Sequence, residues 1–155
     1  MLPFDKVFTK LARTEVGVIY AHDDPRLPDG VYIYREFFCD ACDCRRVELR
    51  ACTPNDARPL ATIQLALRLR PHGHLDRPRA TLDSHQPQAA LAPALLQLLE
   101  ALFDWDPGYV TQLAQHYALW RSVVENPDHP GYEALQAAAR DASPDKPAGP
   151  LSGMQ

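Results

Sequence analysis

The stretch VYIYREFFCDACDCRRVELRAC, residues 31–52, decides the fold. Its first part, residues 31–38, is rich in aromatic and β-branched side chains, which favours a strand. In its last part Val47, Leu49 and Ala51 alternate with charged residues, which is typical of a strand with one face in water. Three cysteines lie between the two parts. Because the link is too short for a crossover, we predict an antiparallel pair whose turn carries a cysteine cluster.

Two further strands are predicted on either side of this pair. Thr14–Ala21 (TEVGVIYA) comes first, and the turn-rich segment HDDPRLPDG, residues 22–30, separates it from the quoted stretch. After turn residues 53–59, Leu60–Arg70 alternates again between apolar and polar side chains. Four sequential strands with short links predict a four-stranded antiparallel meander.

The second half of the chain has helical periodicity. Leucines recur at spacings of three and four from residue 88 to 103, and a second helix is predicted at 108–125, with Pro107 near its start. Shorter helices are expected at 3–12 and 132–141, and residues 71–87 are interpreted as a loop. The predicted fold class is α+β, with an antiparallel helical pair covering one face of the sheet. We expect one domain over residues 1–141 and a disordered tail over 142–155.

The composition is that of an ordinary globular protein. The 155 residues are 46% apolar and 23% charged, with a formal net charge of −4, which argues against nucleic acid as a partner. No apolar run reaches the ~20 residues that a membrane span requires, and the charged N-terminus does not resemble a signal peptide. We therefore expect a cytoplasmic protein, in which clustered cysteines stay reduced and are metal ligands or catalytic groups. The composition does not indicate an oligomeric state.

Cys39, Cys42 and Cys44 are predicted to bind zinc, because thiolates are preferred ligands of this ion. Cys52 lies about 26 Å further along the strand at ~3.3 Å per residue, so it is expected outside the site. A fourth ligand must come from elsewhere. The sequence offers His116, on the apolar face of the second long helix, and the pair His72 and His74 after the fourth strand.

Three other functions fit the sequence less well than a structural zinc site. A thiol redox protein with a Cys-x-x-Cys motif usually places it at the start of a helix, whereas this one lies between two strands. A zinc-dependent hydrolase requires an open coordination position, while clustered thiolates are typical of closed sites. Arginines at 46, 50, 68 and 70 could form a basic sheet face, but Glu48 interrupts it. We therefore favour a non-enzymatic zinc-binding module that binds an unknown protein partner.

The stretch FCDACDCRRV, residues 38–47, resembles the cysteine motif of an uncharacterised bacterial protein family that carries a CDCRRV-type sequence. Some members of that family also carry a C-terminal zinc motif like that of the preprotein-translocase ATPase. The resemblance extends from about residue 31 to 121 through short matches at Leu82-Asp83, Pro87-Gln88, Ala92–Leu96, Tyr109-Val110, Leu113 and His116-Tyr117.

Two departures from that family bear on the site. The family has a longer gap between its first two cysteines, and this chain ends in LSGMQ without a second cysteine motif. No partner that is bound through such a motif is therefore implied. Since the His116-Tyr117 pair matches the family and His72 and His74 do not, the resemblance implies His116 as the fourth zinc ligand.

Overall fold

The computed structural model describes residues 1–68 and 76–143. In this part of the chain six strands form one antiparallel sheet, accompanied by four α-helices, so the fold is α+β. The strands are β1 (Leu2–Pro3), β2 (Gly17–Ala21), β3 (Gly30–Phe38), β4 (Arg46–Thr53), β5 (Asp56–Ala66) and β6 (Ala80–Leu82). The helices are α1 (Thr9–Thr14), α2 (Ala92–Trp105), α3 (Pro107–Val124) and α4 (Tyr132–Ala142), and a 3₁₀ turn covers Phe4–Lys6.

The sheet has six strands where the sequence predicted four. β3 pairs with β4 on one side and with both β1 and β2 on the other, and β5 and β6 follow β4 in order. β1 is only two residues long, and β6 is a three-residue strand inside the segment that was interpreted as a loop. Neither is long enough to show a period of two, and the proline-rich surroundings of β6 further obscured it.

Side chains of alternate residues on β3 and β4 face the helices. Tyr34 donates a hydrogen bond from its hydroxyl to the Leu95 carbonyl of α2 at 2.7 Å. The ring of Phe38 packs against Trp120 of α3, with ring centroids 5.6 Å apart. Both helices therefore contact the same face of the sheet. On the opposite face, the Arg50 guanidinium lies 3.8 Å from the centre of the Phe37 ring.

Several predicted boundaries were wrong. β5 begins at Asp56, because Thr53 pairs with Asp56 across a two-residue turn, so most of the predicted 53–59 turn is strand. The predicted helix at 3–12 is replaced by β1, the 3₁₀ turn and α1. The end of the predicted fourth strand at residues 69–70, the two histidines that follow it, and residues 144–155 of the predicted tail lie outside the described residues.

The buried apolar side chains form one cluster between the sheet and the helices. Leu95 and Leu99 of α2 and Leu113 and Trp120 of α3 are fully buried in it. Helices α2 and α3 each bury only one side. Among the described residues, no helix has the length and apolar character needed to cross a membrane.

Candidate metal centre

The three clustered cysteines lie at the tip of the β3–β4 hairpin. We call residues 39–45, between the two strands, the cysteine loop. The Sγ atoms of Cys39, Cys42 and Cys44 all lie within 4.8 Å of one another, and those of Cys39 and Cys42 are 3.2 Å apart. In a tetrahedral zinc site with Zn–S bonds of ~2.3 Å, sulfurs are about 3.8 Å apart. The three cysteines could therefore bind one metal ion with small side-chain adjustments.

The last residue of the cysteine loop has an unusual backbone conformation. Arg45 has a φ of 52°, in the left-handed region that non-glycine residues seldom adopt. This conformation turns the chain from Cys44 into β4. Two hydrogen bonds fix the backbone of Arg45. Its N–H donates to the Tyr117 hydroxyl at 3.2 Å, and its carbonyl accepts from the Leu67 N–H at 2.8 Å.

Helix α3 holds the cysteine loop by three side chains. Trp120 Nε1 donates to the Cys39 carbonyl at 3.0 Å, and Arg121 Nη1 donates to the Cys42 carbonyl at 3.2 Å. Tyr117 donates its hydroxyl proton to the Asp43 carboxylate. Residues at positions i, i+3 and i+4 lie on one side of a helix, so a single side of α3 orients the loop.

Sequence reasoning missed this role of Tyr117, Trp120 and Arg121. Trp120 follows His116 by four residues, on the same apolar face of the helix, and it is completely buried. A signal was present, because buried tyrosine and tryptophan side chains usually bond a partner through their polar tips. Nothing in the sequence distinguished Arg121 from a solvated arginine.

The thiols of the cluster influence one another. Burial acts to raise the pKa of Cys39, but hydrogen bonds from the Cys42 thiol and from the N–H groups of Ala41 and Cys42 outweigh it and lower the pKa. Hydrogen bonds to Cys39 and Cys44 raise the pKa of Cys42 to about 11. The first thiolate is thus stabilised by its neighbours' protons, and a divalent cation that takes the place of those protons would hold all three sulfurs as thiolates.

The structure does not bring His116 to the cysteines. Its Nδ1 bonds the Glu36 carboxylate on β3 at 2.8 and 3.0 Å, and its Nε2 bonds the Glu15 carboxylate at 2.6 Å. A ring whose two nitrogens both bond carboxylates has no free lone pair for a metal. The sequence could place His116 on the buried face of α3, but it could not show that Glu36 would point toward it.

His116 and Glu36 are buried, and with the partly exposed Glu15 they form a charge cluster. Burial tends to lower the pKa of His116, but the hydrogen bonds and charges of Glu36 and Glu15 outweigh it and raise the pKa. Burial raises the pKa of Glu36, and the nearby imidazole offsets only part of this effect. The Phe4 ring stacks on the imidazole with centroids 4.4 Å apart, which closes the cluster from one side.

The remaining sequence candidates lie elsewhere. Cys52 is buried on β4 opposite Ile33, and it is outside the sulfur group, as its distance along the strand predicted. Burial raises the pKa of its thiol. His72 and His74 are outside the described residues.

A second set of metal-capable donors lies in the β2–β3 turn. His22, Asp23 and Asp29 have donor atoms within 4.8 Å of one another. Their side chains are 60–84% exposed, and the Asp23 N–H donates to the Asp29 carboxylate at 2.9 Å. These are the contacts of a polar turn, so we assign no ligand to this set.

A groove of about 450 Å³ borders the cysteine loop. Asp43 and Arg45 of the loop form one wall, Leu67 lies at the end of β5, and α3 supplies Tyr117 and Ala118. The groove is therefore continuous with the cysteine loop and with the helix that holds it.

No protein-family model matches the chain, and no curated protein and no solved structure matches it.

Proposed function

We propose that the cysteine loop binds one zinc ion through Cys39, Cys42 and Cys44, and that the ion has a structural role. The observation that supports this proposal most directly is the grouping of three Sγ atoms within 4.8 Å of one another. Thiolates select zinc and other thiophilic ions over magnesium or calcium. A bound ion would link both ends of a seven-residue loop, residues 39–45, that has no helix or strand of its own.

A structural role fits the surroundings better than a catalytic one. A catalytic zinc site keeps one position open and has a general base beside it. Here the buried histidine of α3 is engaged by Glu36 and Glu15, so it is not available as that base. The loop is also bonded to α3 through the carbonyls of Cys39 and Cys42, which favours a fixed geometry.

The fourth zinc ligand would come from the chain that follows β5. The Leu67 N–H bonds the Arg45 carbonyl, so the chain that follows β5 leaves from beside the cysteine loop. The sequence offers His72 and His74 five and seven residues later. If either supplies the fourth donor, its replacement by alanine should weaken zinc binding, whereas His116→Ala should leave three sulfur ligands in place.

A thiol redox function is the second candidate. The 3.2 Å separation of the Cys39 and Cys42 sulfurs favours it, because two thiols this close can form a disulfide when an oxidant accepts their two electrons. The two functions differ in what the reduced protein contains: the zinc-binding protein holds metal, and the redox protein holds free thiols.

The decisive experiment measures zinc in freshly purified, reduced protein. We expect about one zinc ion per chain in the wild type and in Cys52→Ser, which changes a cysteine outside the cluster. Cys42→Ser and Cys44→Ser should contain far less. Equal metal content in Cys42→Ser and Cys52→Ser would refute the zinc proposal, and a reversible Cys39–Cys42 disulfide in metal-free wild type would favour the redox function.

We further propose that the zinc-stabilised tip binds a protein partner in the cytoplasm. The groove of about 450 Å³ beside the cysteine loop supports this, since its size suits one or two side chains of a partner. Ala118 is exposed and lines the groove, whereas Ser122 is an exposed residue one turn further that does not line it. A partner captured by wild type and by Ser122→Arg, but not by Ala118→Arg, would identify the groove as the binding surface.

A further inference from the structure

Three arginines line a cleft on the face of the sheet opposite to α2 and α3. Arg46 is the first residue of β4, Arg68 follows β5, and Arg79 precedes β6. The cleft has a volume of about 280 Å³, and the side chains of Gln64 and Thr81 add polar groups to its lining. Gln64 and Thr81 are opposite each other in the β5–β6 pair, so strand pairing brings these residues together. We call this site the arginine cleft.

The arginines of the cleft form no ion pair with another described residue. In the described part of the chain none of the three pairs with a carboxylate, whereas Arg50 on the same face pairs with Glu48 at 2.6 Å. Outside that part, residues 69–75 contain no Asp or Glu, whereas residues 144–155 contain Asp145. Three arginines therefore line one cleft in a protein with a net charge of −4.

Two carboxylates beside the cleft, those of Glu48 and Asp83, are engaged in hydrogen bonds. Glu48 is opposite Gln64 in the β4–β5 pair, and it accepts a hydrogen bond from Arg50. Asp83 accepts hydrogen bonds from Gln64 Nε2 at 3.0 Å and from the His85 N–H at 2.9 Å. These two acids flank the cleft without neutralising it. They would oppose a polyanion that extends along the sheet, but they leave room for a compact anion between them.

We propose that the arginine cleft binds the phosphate group of a small phosphorylated molecule. Guanidinium groups bind phosphate through paired hydrogen bonds, and such charge-assisted bonds are about twice as strong as neutral ones. A volume of about 280 Å³ accommodates a phosphate and part of the group that carries it. The flanking acids and the negative net charge favour this ligand over a nucleic-acid strand, which depends on many phosphate contacts along an extended basic surface.

The test is calorimetric titration of the full chain at low salt with AMP and with adenosine, which differ only by the phosphate. Wild type should bind AMP and not adenosine. Arg79→Gln and Arg46→Gln should each weaken AMP binding about tenfold, the loss expected for one charged hydrogen bond. Arg58→Gln is the matched control: Arg58 is exposed near the other end of β5, pairs with Asp56 at 2.7 Å, and carries the same charge. It should change AMP binding less than about twofold.

Three results would overturn the proposal. Adenosine binding as tight as AMP binding would show that the phosphate is not recognised. An equal loss in Arg58→Gln and Arg79→Gln would indicate general charge attraction. Tighter binding of a short oligothymidylate without terminal phosphates would indicate a nucleic-acid surface instead. Because the cleft uses no cysteine, the zinc content of Arg79→Gln should equal that of wild type, so failure here is distinguishable from failure of the zinc proposal.

Discussion

Replacing Glu36 by glutamine should destabilise the protein more than any other single loss of a carboxylate on the sheet. Glu36 is 6% exposed and bonds Nδ1 of His116, which is fully buried. Glutamine has nearly the same shape and can still accept a hydrogen bond, so packing is preserved. What is lost is the negative charge that faces a buried imidazolium.

The structure sets the expected magnitude. Removing one partner of a buried ion pair costs about 3–5 kcal/mol, because the other charge stays buried without compensation. Glu15 still bonds Nε2 of His116 and its side chain is 38% exposed, so we expect the lower end, about 3 kcal/mol. For a chain of this length that corresponds to a fall in Tm of about 6–12 °C.

Glu48→Gln is the matched control. Glu48 is on the neighbouring strand and is 4% exposed, but its partner Arg50 has a side chain that is 33% exposed and can be solvated. That substitution should cost about 1 kcal/mol. Both losses in the free energy of unfolding are measured by urea unfolding of the two variants and the wild type at pH 7. Equal costs would refute the reasoning, since the two sites differ mainly in the burial of the cation.

The pH dependence provides a second readout of the same substitution. His116 and Glu36 both have pKa values raised in the folded protein, from ordinary values of 6.5 and 4.5. Above those ordinary values the unfolded chain releases its protons first, so the stability that these groups contribute falls as pH rises through the folded pKa values. Wild type should therefore lose stability as the pH rises above 6.5, the ordinary pKa of histidine. Glu36→Gln removes the main cause of the raised His116 pKa, so the free energy of unfolding of this variant should change less with pH. A variant with the same pH dependence as wild type would contradict the role given to Glu36.

Three further predictions concern the core and the metal. Tyr109→Phe should raise the free energy of unfolding, measured in urea, by about 1 kcal/mol, because the Tyr109 hydroxyl is buried without a partner among the described residues. Tyr34→Phe removes a hydroxyl that is hydrogen-bonded, so it should lower the free energy of unfolding by a similar amount. Equal losses in the two variants would contradict this prediction. Gly17→Ala should lower stability by about 1–3 kcal/mol, since the new Cβ would overlap the Tyr109 hydroxyl. An unchanged Tm would contradict this prediction. A chelator should lower the Tm of wild type and Cys52→Ser but not of Cys42→Ser, and zinc at 100 times its Kd should restore about 2.7 kcal/mol.

The strands that could be predicted from sequence are those with a long period of two. In β4 and in the second half of β5 apolar residues alternate with polar ones, so the burial of Leu49, Ile63 and Leu65 follows from the sequence. Thr62 shows the limit of that argument: alternation with Ile63 predicts it on the polar face of the strand, yet it is 2% exposed. The side-chain amide of Gln88 bonds both the N–H and the carbonyl of Thr62 and covers it, a contact between residues 26 positions apart that periodicity does not encode.

For the metal centre, too, only part of the arrangement could be predicted from the sequence. The grouping of Cys39, Cys42 and Cys44 follows from their spacing in one short turn, because any tight hairpin tip brings such residues together. A small rotation of α3 about its axis would change which of its side chains contact the hairpin tip. Sequence periodicity placed His116 and Trp120 on the same face, and it could not tell which of them reaches the tip.

The adjacent residues His116 and Tyr117 show how α3 connects the two parts of the molecule. His116 bonds Glu36 in the middle of β3, while Tyr117, rotated by about 100° around the helix, bonds Asp43 and Arg45 in the cysteine loop. Because one helix is fixed by a buried charge and also holds the loop, the position of the three sulfurs depends on the packing of α3 as well as on the turn. The backbone of the cysteine loop is therefore oriented by hydrogen bonds from α3, and a metal ion would add a direct link among its cysteine side chains.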